Sequence, residues 1–481
     1  MSGMSVKRSL AWMGGTSLFG QVITWSITIV VARLLTPEDY GLVAIAGIYT
    51  VLAHAICLMG VSTAVVQAES VTEYQIRALY GFSILMGILM FGVGLLAAPV
   101  MAWGFDDPRL TWLVAYQNLV FIVGAPKSLQ WSLLARDTRF DVIAKIETAS
   151  RVLTSLCVLA MAAAGLGVWA LASQWILIEL FQFIAFSCFR RVRPTFIIRW
   201  TEVRDLLLFG IRVLMRNSVG QIYSQIDIFI FGKLASSTFL GGYSFAKQLT
   251  NMPFEKIITI INRVLLPYLC KDKDDHNKMR DWTMNIAYLQ VLFLVPFYYV
   301  LFFCAAETVY IVLGDKWAVA VFPLQIFCVA NIFKLGENYA MVALTALGRI
   351  KEQVRFVFIQ LVLMGSGFLG TALWIGPESS LYVWITVYPL LSIVFCTVLL
   401  KTIDLKLSML LVRIKGTLVA HAALVLSLMV VQHFVKGAMW ETLSSKLAGA
   451  ATVYILALFI FDREKFVDTL RIVPVFSSRK A

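Results

Sequence analysis

The 481-residue chain is 60% hydrophobic and only 14% charged, with a mean hydropathy of +0.82. Soluble domains run at about 45–50% apolar and about 25% charged, so in water this chain would expose large apolar patches, and the bilayer is the solvent it requires. The net charge of +13 is spread over short segments between apolar runs, with no compact basic domain of the kind that binds nucleic acid.

A membrane span needs about 20 predominantly apolar residues. About fourteen runs qualify, at 12–34, 40–63, 79–102, 111–134, 143–164, 168–188, 206–232, 240–268, 284–303, 319–346, 354–375, 381–400, 416–435 and 447–461. The first is too long for a signal-peptide core and lacks a small-residue cleavage site, so it reads as a retained span. The seven cysteines lie in or beside these runs with no CxxC pair, which argues against disulfides and zinc.

Lys and Arg segregate across alternate loops. About 26 fall on one side and about six (Arg33, Arg109, Lys233, Lys316, Lys436, Lys446) on the other, which predicts that both termini are cytoplasmic. An internal repeat sets Gly20, Gln21, Arg33, Leu34 and Gly41 against Gly220, Gln221, Lys233, Leu234 and Gly241 at a constant offset of about 200 residues. Six spans separate the copies, as in two lobes related by an axis along the membrane normal. The expected fold is therefore all-α: about 14 transmembrane helices in two six-helix lobes with pseudo-two-fold symmetry, plus two C-terminal helices. The expected boundaries are an N-lobe at 1–189, a cytoplasmic interfacial linker at 190–205, a C-lobe at 206–400, and the last two spans with a tail at 401–481.

Ionisable residues within spans are costly and mark function by default. On span seven, Arg212, Arg216, Gly220, Tyr223 and Asp227 share a helical face, with Gln221 beside them. Lys247, Asn251 and Glu255 share a face of span eight, and span ten adds Asn331, Lys334, Glu337 and Asn338. These stripes predict a hydrated cavity of cationic balance, suited to an anionic headgroup such as a pyrophosphate. The alternative for the residues near the cytoplasmic edge, Arg212 and Lys145 among them, is snorkelling. Asp227, Glu255 and Glu337 are candidates for ion coupling, and the alternative for Asp227 and Glu255 is internal ion pairing.

No GxxxxGK[ST] phosphate loop occurs, and the four histidines lack metal-ligand spacing, so neither a cofactor nor a metal is expected. The acidic pairs Glu38-Asp39 and Asp106-Asp107 suit a membrane glycosyltransferase, but a helix-start and a turn reading fit them better.

The run Ala32-Arg-Leu-Leu-Thr-Pro-Glu-Asp-Tyr-Gly41 closely resembles the signature ending the first span of Wzx-type polysaccharide flippases, of the multidrug/oligosaccharidyl-lipid/polysaccharide exporter superfamily. Gly60-Val-Ser-Thr-Ala-Val-Val-Gln67 resembles the end of their second span. The resemblance implies two six-helix bundles around a central cavity, residence in the bacterial inner membrane, and a polyprenyl-pyrophosphate-linked oligosaccharide as cargo moved by alternating access. Polymer pathways of the exopolysaccharide, O-antigen or capsule kind follow, with membrane lipids, a polysaccharide polymerase and export machinery as candidate partners. Only Arg33 sits in a matching motif. The rival readings are a membrane glycosyltransferase, ligase or polymerase, and a multidrug or ion exporter of the same superfamily.

Overall fold

The computed structural model describes residues 20–466 apart from 22, 59 and 436; the side chains of a few positions between 216 and 264, including Arg216, lie outside that description. Every regular element among the described residues is helical. In chain order they are α1 (Ile23–Leu34), α2 (Pro37–Leu58), α3 (Val61–Gln67), α4 (Glu73–Gly104), α5 (Arg109–Gln117), α6 (Val120–Arg136), α7 (Phe140–Ala163), α8 (Val168–Phe189) and α9 (Trp200–Leu234). They continue with α10 (Ser237–Lys271), α11 (His276–Phe303), α12 (Ala305–Val312), α13 (Val321–Ala346), α14 (Ile350–Trp374), α15 (Val383–Thr402), α16 (Leu407–Phe434) and α17 (Met439–Phe461). Short 3-10 segments precede α13 and α15.

Ten helical segments among the described residues are long and apolar enough to cross a membrane: α2 with α3, α4, α7, α8, α11, α13 and α15 with their preceding turns, α14, α16 and α17. The protein is thus an all-helical, multi-pass membrane protein. The other four expected spans coincide with α1, α5 with α6, α9 and α10, which are short in their described part, interrupted, or richer in polar residues.

Local sequence explains the helix starts. Thr36 donates its backbone N–H and hydroxyl to Asp39 Oδ2 at 2.9 and 2.7 Å, and the Asp39 N–H returns to Thr36 Oγ1 at 3.3 Å. With Pro37 opening α2, this is reciprocal capping, so the Glu38-Asp39 pair is a helix start as expected. Thr72 and Gln75 form the same box on α4, and Asp275 caps α11.

The expected continuous span at 111–134 is instead two helices, broken at Asn118 and Leu119. Asn118 is fully buried and its carboxamide occupies the space that a side chain at Gly94 of α4 would fill, so packing ends the helix where the apolar pattern runs on.

By internal packing the chain divides into Met1–Ser244 and Phe245–Ala481, with the boundary inside α10. In the first unit Val61, Leu79, Leu129, Leu133, Val203 and Leu207 bring α3, α4, α6 and α9 together. Inside a bilayer such contacts stabilise by close packing, since lipid tails are as apolar as the side chains themselves. Residues 190–199 are irregular and are tied to α4: Thr195 donates its N–H to Arg77 O at 3.0 Å and Tyr74 its hydroxyl to Ile197 O at 2.8 Å. Helix α9 begins at Trp200, so the end of the expected linker is already helical.

The N-terminal turns of α2 and α10 cross at two glycines. A Cβ on Gly41 would collide with the backbone oxygen of Ser237, and one on Gly241 with that of Pro37. These positions are related by the same offset of 200 that relates the repeats, so the contact is reciprocal, as about a two-fold axis.

In the second unit Phe254, Ile258, Leu294, Val295, Tyr298 and Leu335 join α10, α11 and α13. Leu424, Leu428 and Ala450 join α16 to α17. Lys446, expected in an outer loop, lies inside α17 with its side chain only 2% exposed, paired with Glu307 at 2.6 Å. A carboxylate on another helix supplies the neutralisation that water gives a loop lysine.

Candidate functional site

Helix α10 carries Lys247, Asn251 and Glu255 at four-residue intervals on one face. Helix α13 carries Asn331, Lys334, Glu337 and Asn338. The fold of the second unit brings the two sets together. Lys334 Nζ donates to Asn251 Oδ1 at 3.1 Å and stands 4.8 Å from the centre of the Phe254 ring. Asn262 Nδ2 donates to Asn338 Oδ1 at 3.0 Å. Lys247 Nζ lies 5.8 Å from the centre of the Trp384 ring, whose indole packs against Phe327, Phe368 and Tyr388. Both lysines therefore use aromatic faces as part of their solvation.

Lys334 is within electrostatic reach of Lys247, Glu255 and Glu337. Glu337 is held on its far side: Gln360 Nε2 and Ser392 Oγ donate to its Oε2 at 3.1 and 2.9 Å, and the Tyr388 hydroxyl adds a third hydrogen bond. Asn331 is buried, and its side-chain Nδ2 has no hydrogen-bond partner among the described residues. Two ammonium groups, two carboxylates and an aromatic wall thus share one cluster of the second unit, with the unsatisfied amide of Asn331 one turn from Lys334 on α13. Among these residues cations and carboxylates balance; Arg212 and Arg216, which gave the expected cavity its cationic excess, belong to α9.

The other candidates belong to the first unit. Arg33 is exposed in the last turn of α1, and Gln221 is half-buried on α9. The side chain of Arg216 lies outside the described residues. Asp227 is buried and accepts a hydrogen bond from the Tyr243 hydroxyl, which ties α9 to the start of α10.

The acidic pairs weighed for glycosyl transfer have structural partners. Glu38 and Asp107 each meet Arg109 at 2.8 Å, and Asp106 meets Lys233 at 2.6 Å. Hydrogen bonding to Arg109 holds the Asp107 carboxyl below its ordinary range and the Arg109 guanidinium above its own.

Two ion pairs within the helical body, one half-buried and one buried, escaped the sequence reading. Lys127 of α6 meets Glu179 of α8 at 2.8 Å and Gln182 Oε1 at 3.2 Å, with Glu179 and His54 both facing the bare Cα of Gly124. Glu307 of α12 is the partner of Lys446. The available signal was a lone carboxylate in each apolar run, Glu179 and Glu307, whose partner sits far along the chain. Among the described residues no group of three or more His, Cys, Asp and Glu is arranged to hold a metal.

A many-helix membrane body that carries ionisable side chains on its helices has the architecture of a membrane transporter. The family described as "Polysaccharide biosynthesis protein" matches residues 30–322, and the chain belongs to it. An "Uncharacterized membrane protein in cps region" of Klebsiella pneumoniae is 27% identical over 78% of each chain. The "Lipopolysaccharide biosynthesis protein WzxC" of Escherichia coli (strain K12) is 23% identical over 71% of each. The resemblance of the Ala32–Gly41 and Gly60–Gln67 segments to Wzx-type proteins thus extends along most of the chain. The fold matches the structure titled "Lipid II flippase MurJ, inward closed conformation" with a TM-score of 0.73 at 13% identity, over 95% of this chain and 100% of that one.

Proposed function

We propose that this protein is a flippase that carries polyprenyl-pyrophosphate-linked oligosaccharide repeat units across the bacterial inner membrane by alternating access, for the synthesis of a surface polysaccharide. In this reading α1, α5 with α6, α9 and α10 also span, giving fourteen crossings with both termini cytoplasmic, in two six-helix lobes with two further C-terminal helices.

The observation that carries the proposal is the approach of Lys334 and Lys247 inside membrane helices, each over an aromatic ring. Two ammonium groups repel across a medium of low dielectric, and a pyrophosphate between them turns that repulsion into two attractions. Glu337 is occupied by three donors, so the carboxylate of α13 is hydrogen-bonded without drawing on the lysines. Asn251 and Asn331 offer amides for sugar or phosphate oxygens, and the Trp384 wall offers apolar area for a sugar face.

The test replaces Lys247 and Lys334 with Gln in a cell whose polymer is scored and whose lipid-linked sugars are assigned to a leaflet. Complete repeat units trapped on the inner leaflet, at normal protein abundance, are the expected result. Intact export would remove the assignment, and accumulation on the outer leaflet would indicate a step after translocation, as in a polymerase or ligase.

A further inference from the structure

A groove of ≈ 600 Å³ runs along the flank of α7 and α8 in the first unit, within the range of about 300–1,000 Å³ typical of sites for small molecules. Its wall is apolar: Leu153 of α7 and Phe181, Ile184 and Phe189 of α8. Leu153, Ile184 and Phe189 are 46, 52 and 59% exposed, so the wall is open among the described residues. In a bilayer such a surface meets acyl chains.

One end of the groove is different. It is rimmed by Arg139, which precedes α7, and by Lys145, a turn and a half into that helix. The only acidic lining residue is Asp141, 3.8 Å from Arg139, which leaves one net positive charge. Lys145 is exposed and has no ion-pair partner among the described residues. Beyond Phe189 the chain passes into Arg190, which pairs with Asp137 at 3.7 Å, and then into Arg191 and Arg193, which raise the potential at this end further. A cationic rim closing an apolar slot is complementary to an amphiphile with a compact anionic head. A sugar-bearing headgroup would need polar lining along the slot, and below the rim Ser150 is the only polar side chain.

We propose that this groove binds one anionic phospholipid, with its phosphate between Arg139 and Lys145 and an acyl chain along Leu153, Phe181 and Ile184. This site is separate from the lysine cluster of the second unit and does not rest on the flippase reading.

The test measures binding of phosphatidylglycerol and phosphatidylcholine to the purified full-length protein by native mass spectrometry. The wild type retains phosphatidylglycerol preferentially. Arg139→Gln with Lys145→Gln weakens that binding roughly 20- to 30-fold, since both headgroup cations are gone, while Arg139→Lys with Lys145→Arg preserves it. Leu153→Trp fills the slot with the cations intact and also removes the preference, which separates a groove from a merely basic surface. All variants are checked for an unchanged melting profile. Equal retention of the two lipids, insensitivity to the Gln pair, survival of the preference in Leu153→Trp, or one-for-one displacement by polyprenyl pyrophosphate would each overturn the proposal.

Discussion

Removing Glu307 tests how the C-terminal helix α17 is held. Lys446 Nζ has two partners, Glu307 Oε1 and the backbone oxygen of Phe303, each at 2.6 Å, and its side chain is 2% exposed. In Glu307→Ala the ammonium keeps one carbonyl and no counter-charge, in a position from which it cannot snorkel to water. Breaking a buried pair in this way costs about 3–5 kcal/mol, whereas replacing both members with apolar side chains of similar size is close to neutral. The double variant Lys446→Met with Glu307→Leu is therefore expected within about 1 kcal/mol of wild type and clearly above either single variant. Unfolding by sodium dodecyl sulfate, followed by helical circular dichroism in mild detergent, gives the comparison. Two singles that unfold with the wild type, or a double variant no better than the worse single, would refute the reasoning.

Three further outcomes follow from named contacts. Glu179→Gln leaves Lys127 charged in the middle of the first unit and is expected to destabilise by on the order of 2–3 kcal/mol in the same assay, with Lys127→Met restoring most of the loss. Gly41→Ala and Gly241→Ala each force the α2 and α10 backbones apart, at about 1–3 kcal/mol; the two together cost less than their sum, because one separation relieves both collisions. The third concerns acid. The Asp107 carboxyl is depressed in the folded protein, so its link to Arg109 contributes above the ordinary carboxylate value of about 4 and is lost as pH falls below it. Amide exchange in the 104–110 loop is expected to rise as pH falls through 3 in the wild type, and to rise less, beyond the intrinsic rate, in Arg109→Gln, which keeps only the backbone N–H of residue 109 on Asp107. Equal protection on both sides of that pH in the wild type would contradict the link.

Much of this molecule was legible because membrane helices advertise themselves. The apolar runs, the Thr36-Pro37-Glu38-Asp39 start and the Asp106-Asp107-Pro108 turn are local, and local chemistry decides them. The four-residue spacing of Lys247, Asn251 and Glu255 also identified a face in advance. What lies across that face was not legible: that Lys334 reaches Asn251, or that Glu337 is taken up by Gln360 and Ser392, depends on helices far apart in the chain. Lys446 misled for the same reason. A basic residue at the edge of an apolar run reads as a loop until a carboxylate more than a hundred residues away is seen to neutralise it. The break at Asn118 carried no Gly or Pro and was invisible without Gly94 opposite it.

The crossing of α2 and α10 gives two positions of one chain equivalent roles. Were the two halves separate copies of one polypeptide, the same glycine would face the same carbonyl from both sides, and one change in the gene would strike the contact twice. Joined in a single chain, each side is free to vary by itself. Gly41 and Gly241 are the same residue 200 positions apart, while the carbonyls they admit belong to two different residues, Ser237 and Pro37. The contact is bare where the backbones touch, so the distance between α2 and α10 is set by main chain and not by side-chain choice.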